Sequence, residues 1–235
     1  MGAGFAAADR FIAEIRGGKA RPGYVLAGDE IFLYERCRKA VLETLVPNDL
    51  REFCLSDLDL AESSIFEILD RARTPSLMAP FQVFFVRGLK ALYTRGAKKD
   101  EFAAIADYFR SPNPQCLVIF VADYIRIPSD PRRMDLEDKT RYERLCETLG
   151  EWCGMVELAR VDETDALKWI ISESERQGVK FDQDAARELA DALGADMMLI
   201  ASEWNKLVLF AGEKRHVTLG DVETMVLAAK QRSLY

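Results

Sequence analysis

Short, near-continuously apolar runs separated by stretches of helical period set the pattern of the first two thirds of the chain. Y24-V-L-A-G28 is the first such run, and 52–55 (EFCL), 82–86 (QVFFV), 117–122 (LVIFVA) and 155–159 (MVELA) repeat it. Between them, apolar residues recur at helical spacing over Ile31–Leu45, Ile65–Arg73, Asp100–Arg110 and Thr140–Trp152, and an amphipathic helix over 5–16 precedes them, stopped by Gly17-Gly18. Ser64 and Glu67 have the spacing of a capping box at the start of the Ile65 helix. Strands that are nearly continuously apolar are buried on both faces, so their alternation with helices predicts a parallel sheet of roughly five strands covered on both sides.

After about Arg160 the strand pattern stops. Thr164–Gln177, Asp182–Leu193, Asp196–Ala211 and Leu219–Ala229 are all helical in period, with Gly178, Gly194 and Gly212 as stops and Asp182 and Thr218 as caps. The expected organisation is an α/β domain over 1–160 and a small helical domain over 161–235. The segment Tyr124–Lys139, with two prolines and mixed charge, is expected to be a long surface loop.

Charge narrows the function classes. The chain carries 39 acidic and 32 basic residues, a net charge of −7, so no global basic field draws it to nucleic acid or anionic lipid. The cations Arg126, Arg132, Arg133, Lys139, Arg141 and Arg144 are interleaved with Asp130, Asp135, Glu137, Asp138 and Glu143, the pattern of a solvated surface rather than a phosphate-binding one. Five cysteines without a C-x-x-C pair and a single histidine, His216, argue for reduced thiols and against a Cys/His metal site. Charges at Asp9, Arg10, Glu14 and Arg16 interrupt the N-terminal apolar residues, so neither a secretory signal nor a membrane span is expected there, and the expected location is the cytoplasm.

A strand, a glycine turn and a helix opening an α/β domain is where a phosphate-binding loop would lie, with the form G-x-x-x-x-G-K-[ST]. The turn reads A27-G-D-E-I-F-L33, without a second glycine, a lysine or a hydroxyl, and Asp29 and Glu30 would repel a triphosphate. The strand that would end on a magnesium-holding acid ends V86-R87-G88. Two such departures point to a module that uses no nucleotide, cofactor or metal. His216, in the polar turn G-E-K-R-H-V, reads as a solvated residue, Asp123 as a strand-end acid capping a turn, and Trp152, Trp169 and Trp204 as packing residues.

The residues Y24-V-L-A-G-D-E-I-F-L33, S76-L-M followed by the strand ending V-R-G88, and L117-V-I-F-V-A-D123 resemble the delta subunits of bacterial DNA polymerase III. So do W169-I-I, G178-V-K-F-D-Q-D-A-A-R-E-L-A, L199-I-A-S-E-W-N-K-L-V-L-F210 and V217-T-L-G-D-V222, so the resemblance runs the length of the chain. It implies an AAA+-type (P-loop NTPase-like) α/β domain followed by a helical lid, and a subunit that neither binds nor hydrolyses ATP. It implies the partners of a clamp loader: the sliding clamp (beta subunit), the gamma/tau motor subunits, delta-prime, and primer-template DNA through the assembled complex. No catalytic residue is expected in this chain, although the holoenzyme it would serve is a DNA-directed DNA polymerase, a nucleotidyltransferase. A helical collar domain is also implied, which would begin near Tyr235, so a fragment is expected.

The resemblance also gives a role to an oddity. Leu77 and Met78 stand between Pro75 and Pro80 on a connector too short to bury much. In the family, two apolar side chains on a short helix before the third strand enter a pocket of the clamp; the matching positions are Leu77 and Met78, with Met where phenylalanine is common. Pro75 and Ser76 would shape the turn, with Thr74 as N-cap and Pro75 at the first helical position. Burying each side chain is worth roughly 1.5–3 kcal/mol, about two to four decades of affinity for the pair. Two other expectations compete: that the two residues fold back over the sheet edge, and that the chain is an α/β nucleotide-dependent enzyme with a degenerate phosphate loop. A different inactive stator subunit of the same loader would carry a cysteine cluster and an S-R-C motif, which this sequence lacks.

Overall fold

The computed structural model of the chain describes residues 2–94 and 98–227. Helix α1 (Ala3–Arg16) buries Phe5, Phe11 and Ile15, and the chain then enters β1 (Gly23–Ala27), which is buried at every position. There follow α2 (Ile31–Leu45), the short α3 (Arg51–Cys54), β2 (Leu55–Asp59), α4 (Ile65–Arg73), β3 (Gln82–Arg87), α5 (Lys99–Arg110), β4 (Cys116–Ala122), α6 (Leu136–Leu149) and β5 (Gly154–Glu157). Among the described residues these strands form one parallel five-stranded sheet in the order β2-β3-β4-β1-β5. Alternate residues of the central strands supply its two faces. Val25, Phe84, Val118 and Phe120 pack with Ile68, Leu69, Ile105 and Leu145 on one side, while Tyr24 meets Phe11, and Phe85 meets Tyr34, on the other.

Two local expectations need correction. EFCL is not a strand: 51–54 is a helical turn that buries Cys54 and exposes Phe53, and the strand is the next five residues, L-S-D-L-D. That strand lies at the sheet edge, so it is only half-buried and shows no apolar run. Helix α6 begins at Leu136, not Thr140, because the Asp135 carboxylate accepts the N–H groups of Glu137 (2.8 Å) and Asp138 (3.0 Å). The expected loop is shorter accordingly, and Pro131–Arg133 is a 3-10 turn within it. The Ser64–Glu67 capping box is present.

The chain divides into two compact units, Ala3–Arg160 and the residues from Val161 on, which Gly2 joins. The second comprises α7 (Glu163–Gln177), β6 (Lys180–Phe181), α8 (Gln183–Leu193), α9 (Met197–Ala211), β7 (His216–Val217), α10 (Leu219–Val222) and a π turn, Glu223–Leu227. Its core centres on Trp169 and Trp204, whose rings meet edge-on at 6.0 Å. Trp204 Nε1 donates to Ser174 Oγ at 2.9 Å, and Ser174 Oγ donates to Ile170 O at 2.7 Å, so the buried hydroxyl is satisfied as both acceptor and donor. The two-residue strands β6 and β7 pair in parallel, a feature too short to leave a period. His216 is part of that ladder, and its Nε2 lies 2.9 Å from Asp182 Oδ1.

Ser174→Ala leaves the Trp204 N–H unpaired in the core and should lower stability by about 1–3 kcal/mol in urea denaturation followed by tryptophan fluorescence. The His216 hydrogen bond, with added attraction from His216 and Lys180, lowers the Asp182 carboxyl below its ordinary value. A depressed carboxyl stabilises the fold above its unfolded value and loses that contribution as pH falls through the folded one. His216→Ala should therefore move the Asp182 titration back toward the ordinary carboxylate range, read by NMR.

Candidate partner-binding site

Helix α4 ends at Thr74, whose N–H bonds the carbonyls of Asp70 and Arg71 and whose Oγ1 bonds Asp70 O at 2.9 Å. Thr74 therefore closes a helix rather than opening one, and residues 75–81 are a bent connector without helix. Two constraints prevent the helical turn that Thr74-Pro75 led one to expect. Pro80 disfavours the helical region for Ala79. The Ser76 hydroxyl accepts the N–H groups of Met78 (3.2 Å) and Ala79 (3.0 Å), a local turn that competes with helix.

This turn decides where each side chain goes. Ala79 is buried (7 %), pinning the connector to the fold. Leu77 is wholly exposed (102 %) and Met78 largely so (60 %), so neither folds back over the sheet edge. Pro75 is exposed and Ser76 half-buried. The four expected site residues thus form one projection with two apolar side chains at its tip. Sequence reasoning missed Ala79, and also Asn113, whose Nδ2 bonds Ala72 O just before the turn.

The glycine turn after β1 has a different character. At Gly28 φ is +135°, and a Cβ there would lie 2.2 Å from Leu158 O, so only glycine fits. Asp29 is held by Arg160 through two bonds, 2.6 and 3.1 Å. Glu30 caps α2, its Oε1 accepting Phe32 N at 3.3 Å. A crevice of about 400 Å³ opens here, lined by Gly28, Asp29, Ile31, Tyr34, Val121 and Asp123. Arg87 crosses it, its Nη1 3.6 Å from Asp123 Oδ2 and its guanidinium 4.9 Å from the centre of the Tyr34 ring. A helix N-terminus that would suit an anion therefore faces carboxylates, and the cation beside it is engaged. Asp123 pairs with Arg87 and does not cap a turn in the bonds observed.

Elsewhere, several basic residues of 126–144 meet local acids: Arg132 bonds Asp130 at 3.0 Å, and Arg141 bonds both Asp138 and Glu137. The five cysteines are free. Burial pushes the thiols of Cys37, Cys116 and Cys153 up to about 12, which leaves them unreactive near neutrality. Among the described residues no group of three or more His, Cys, Asp or Glu is gathered to hold a metal, and no helix is long and apolar enough to cross a membrane.

The profile of the family "DNA polymerase III, delta subunit" matches residues 24–128, which include both the α2 turn and Leu77–Met78. Over that stretch the chain is similar to those delta subunits. DNA polymerase III subunit delta of Bacillus subtilis (strain 168) is 22% identical over 226 residues, covering 94% of this chain and 61% of the relative. The chain thus spans about six tenths of the length of that curated relative. Among solved structures, the Bacillus subtilis DNA clamp loader delta protein matches with a TM-score of 0.68 at 22% identity, over 93% of this chain and 62% of the other. That likeness, with the five-stranded parallel sheet, makes the fold AAA+-like. Domain III of the Thermotoga maritima replication initiation protein DnaA matches more loosely, with a TM-score of 0.47 at 10% identity, and adds nothing to this.

An exposed apolar side chain contributes little to its own fold. Leu77→Ala should change stability by less than about 0.5 kcal/mol, whereas Leu117→Ala in buried β4 should cost about 2–5 kcal/mol, both measured by urea denaturation.

Proposed function

We propose that this chain is the clamp-binding part of a clamp-loader delta subunit, which seats Leu77 and Met78 in an apolar pocket of the sliding clamp and opens the ring for loading on primed DNA. The observation that carries this reading is the exposure of the pair on a turn anchored by buried Ala79. Leaving two large apolar side chains in water has no benefit to the fold, and a buried pair at the centre of an interface is enough for a binding hot spot. Ser76 sets the turn and Pro75 leads into it.

In this reading the α/β domain, 1–160, binds the clamp and the helical domain, 161–235, serves as the lid. The chain itself binds no ATP: the turn after β1 has no lysine, its carboxylates are engaged, and Arg87 stands where a magnesium-holding acid would. Energy for loading comes from the gamma/tau motor subunits, with delta-prime completing the loader, and DNA is met through the assembled complex. The protein works in the cytoplasm and catalyses no reaction of its own.

The chain should bind sliding clamp without nucleotide in surface plasmon resonance. Leu77→Ser/Met78→Ser should weaken that binding by about two to four decades without unfolding the protein. Unchanged affinity would sink the assignment, and heat of Mg-ATP binding in calorimetry would favour a nucleotide-dependent enzyme instead.

A further inference from the structure

The eight residues Thr74–Phe81 join α4 to β3, and both stems of this loop are held by one short connector, S111-P-N-P-Q115, between α5 and β4. At the first stem Asn113 Nδ2 donates to Ala72 O at 3.0 Å, taking a last-turn carbonyl of α4. At the second, Gln115 O accepts Gln82 N at 2.8 Å, at the first residue of β3. Asn113 is itself fixed. Its Oδ1 accepts Gln115 N at 3.0 Å, its carbonyl accepts Cys116 N at 3.1 Å, and a proline on each side restricts the backbone. The Arg73–Asp107 ion pair, 2.5 Å, adds a tie from the end of α4 to α5.

We propose that the Ser111–Gln115 connector is the base that presets the Leu77–Met78 turn for its partner, with Asn113 as the positioning residue. The inference rests on the clamp-binding reading of that turn. A loop that must be ordered during binding subtracts its ordering entropy from the affinity, and a loop already held at both stems loses less. Asn113 touches no partner in this scheme. It acts by keeping the end of α4 at a fixed distance from the start of β3, so that the Ser76 turn projects both side chains together. Only the fraction of molecules in the projecting state can bind, so loosening a stem lowers the association rate in proportion and leaves dissociation of the seated pair unchanged.

The test measures association and dissociation of the whole chain on immobilised sliding clamp. Asn113→Ala should lower the association rate about fivefold with little change in the dissociation rate, and should speed hydrogen exchange at the Met78 and Ala79 amides. Asn113→Asp, which keeps the acceptor to Gln115 N and loses the donor to Ala72 O, should behave alike. Pro112→Ala/Pro114→Ala keeps the Asn113 side chain and loosens only its backbone; it should move the association rate in the same direction and serves if Asn113→Ala does not fold. If Leu77→Ser/Met78→Ser abolishes binding while folded connector variants keep both wild-type rate constants, the positioning role is overturned. If the double serine variant binds as the wild type does, the clamp-binding reading itself has failed, and this inference with it.

Discussion

The α/β unit depends on the pairing of β1 with its two neighbours. Its five residues, all buried, take register from β4 on one side, Gly23↔Val118 to Ala27↔Ala122, and four of them from β5 on the other, Tyr24↔Gly154 to Ala27↔Glu157. A slip of one residue would exchange the set packed under α4 and α5 for the set packed under α1 and α2. Connections leave β1 toward β2 and pass from β4 over it to β5, so the two central strands part company at their carboxyl ends, where such sheets open a crevice. Gly28, φ +135°, makes the turn out of β1 at that point.

The same sheet sets the relation between the crevice and the apolar turn. Strand β3 begins just after Met78 and ends at Arg87, so the two features occupy opposite ends of one buried strand. At the carboxyl end, side chains engage one another: Arg160 with Asp29, Arg87 with Asp123 and Tyr34. At the amino end, the backbone bonds are satisfied locally by Ser76 and the apolar side chains are left unengaged. One end of this framework thus has charged side chains engaged with one another and the other presents exposed apolar ones, and the difference lies in side chains rather than fold.

Sequence made the central strands legible because they are apolar at nearly every position, as burial on both faces requires. It did not reveal β2, whose L-S-D-L-D lies at an edge and spends alternate residues on Arg38 and solvent: Arg38 forks onto Asp57 through two 2.7 Å bonds. Nor did it show the first turn of α6, since Leu136 is exposed and breaks the apolar period. Leu77 and Met78 stood out because two large apolar residues lie between two prolines on a connector too short to bury much, but only their exposure decided against packing over the sheet edge. Their support did not stand out. Asn113 lies 41 positions from the carbonyl it bonds, and no local period or cap spacing connects the two. The short helix implied for the turn was likewise overruled by a serine hydroxyl and Pro80, both visible in sequence but decisive only together.

Arg87 has a consequence for what this framework can become. Its guanidinium lies on Tyr34 and faces Asp123, while Arg160 holds Asp29 across the same crevice. A triphosphate seat would need a lysine and a hydroxyl in the turn, an acid in place of Arg87, and release of the Asp29 pair. Replacing Arg87 or releasing the Asp29 pair alone removes a partner from a charged group and returns no phosphate contact. Single changes at these two positions therefore start by breaking an ion pair, and the crevice side is held by interlocking neighbours much as a ratchet tooth is held by its pawl.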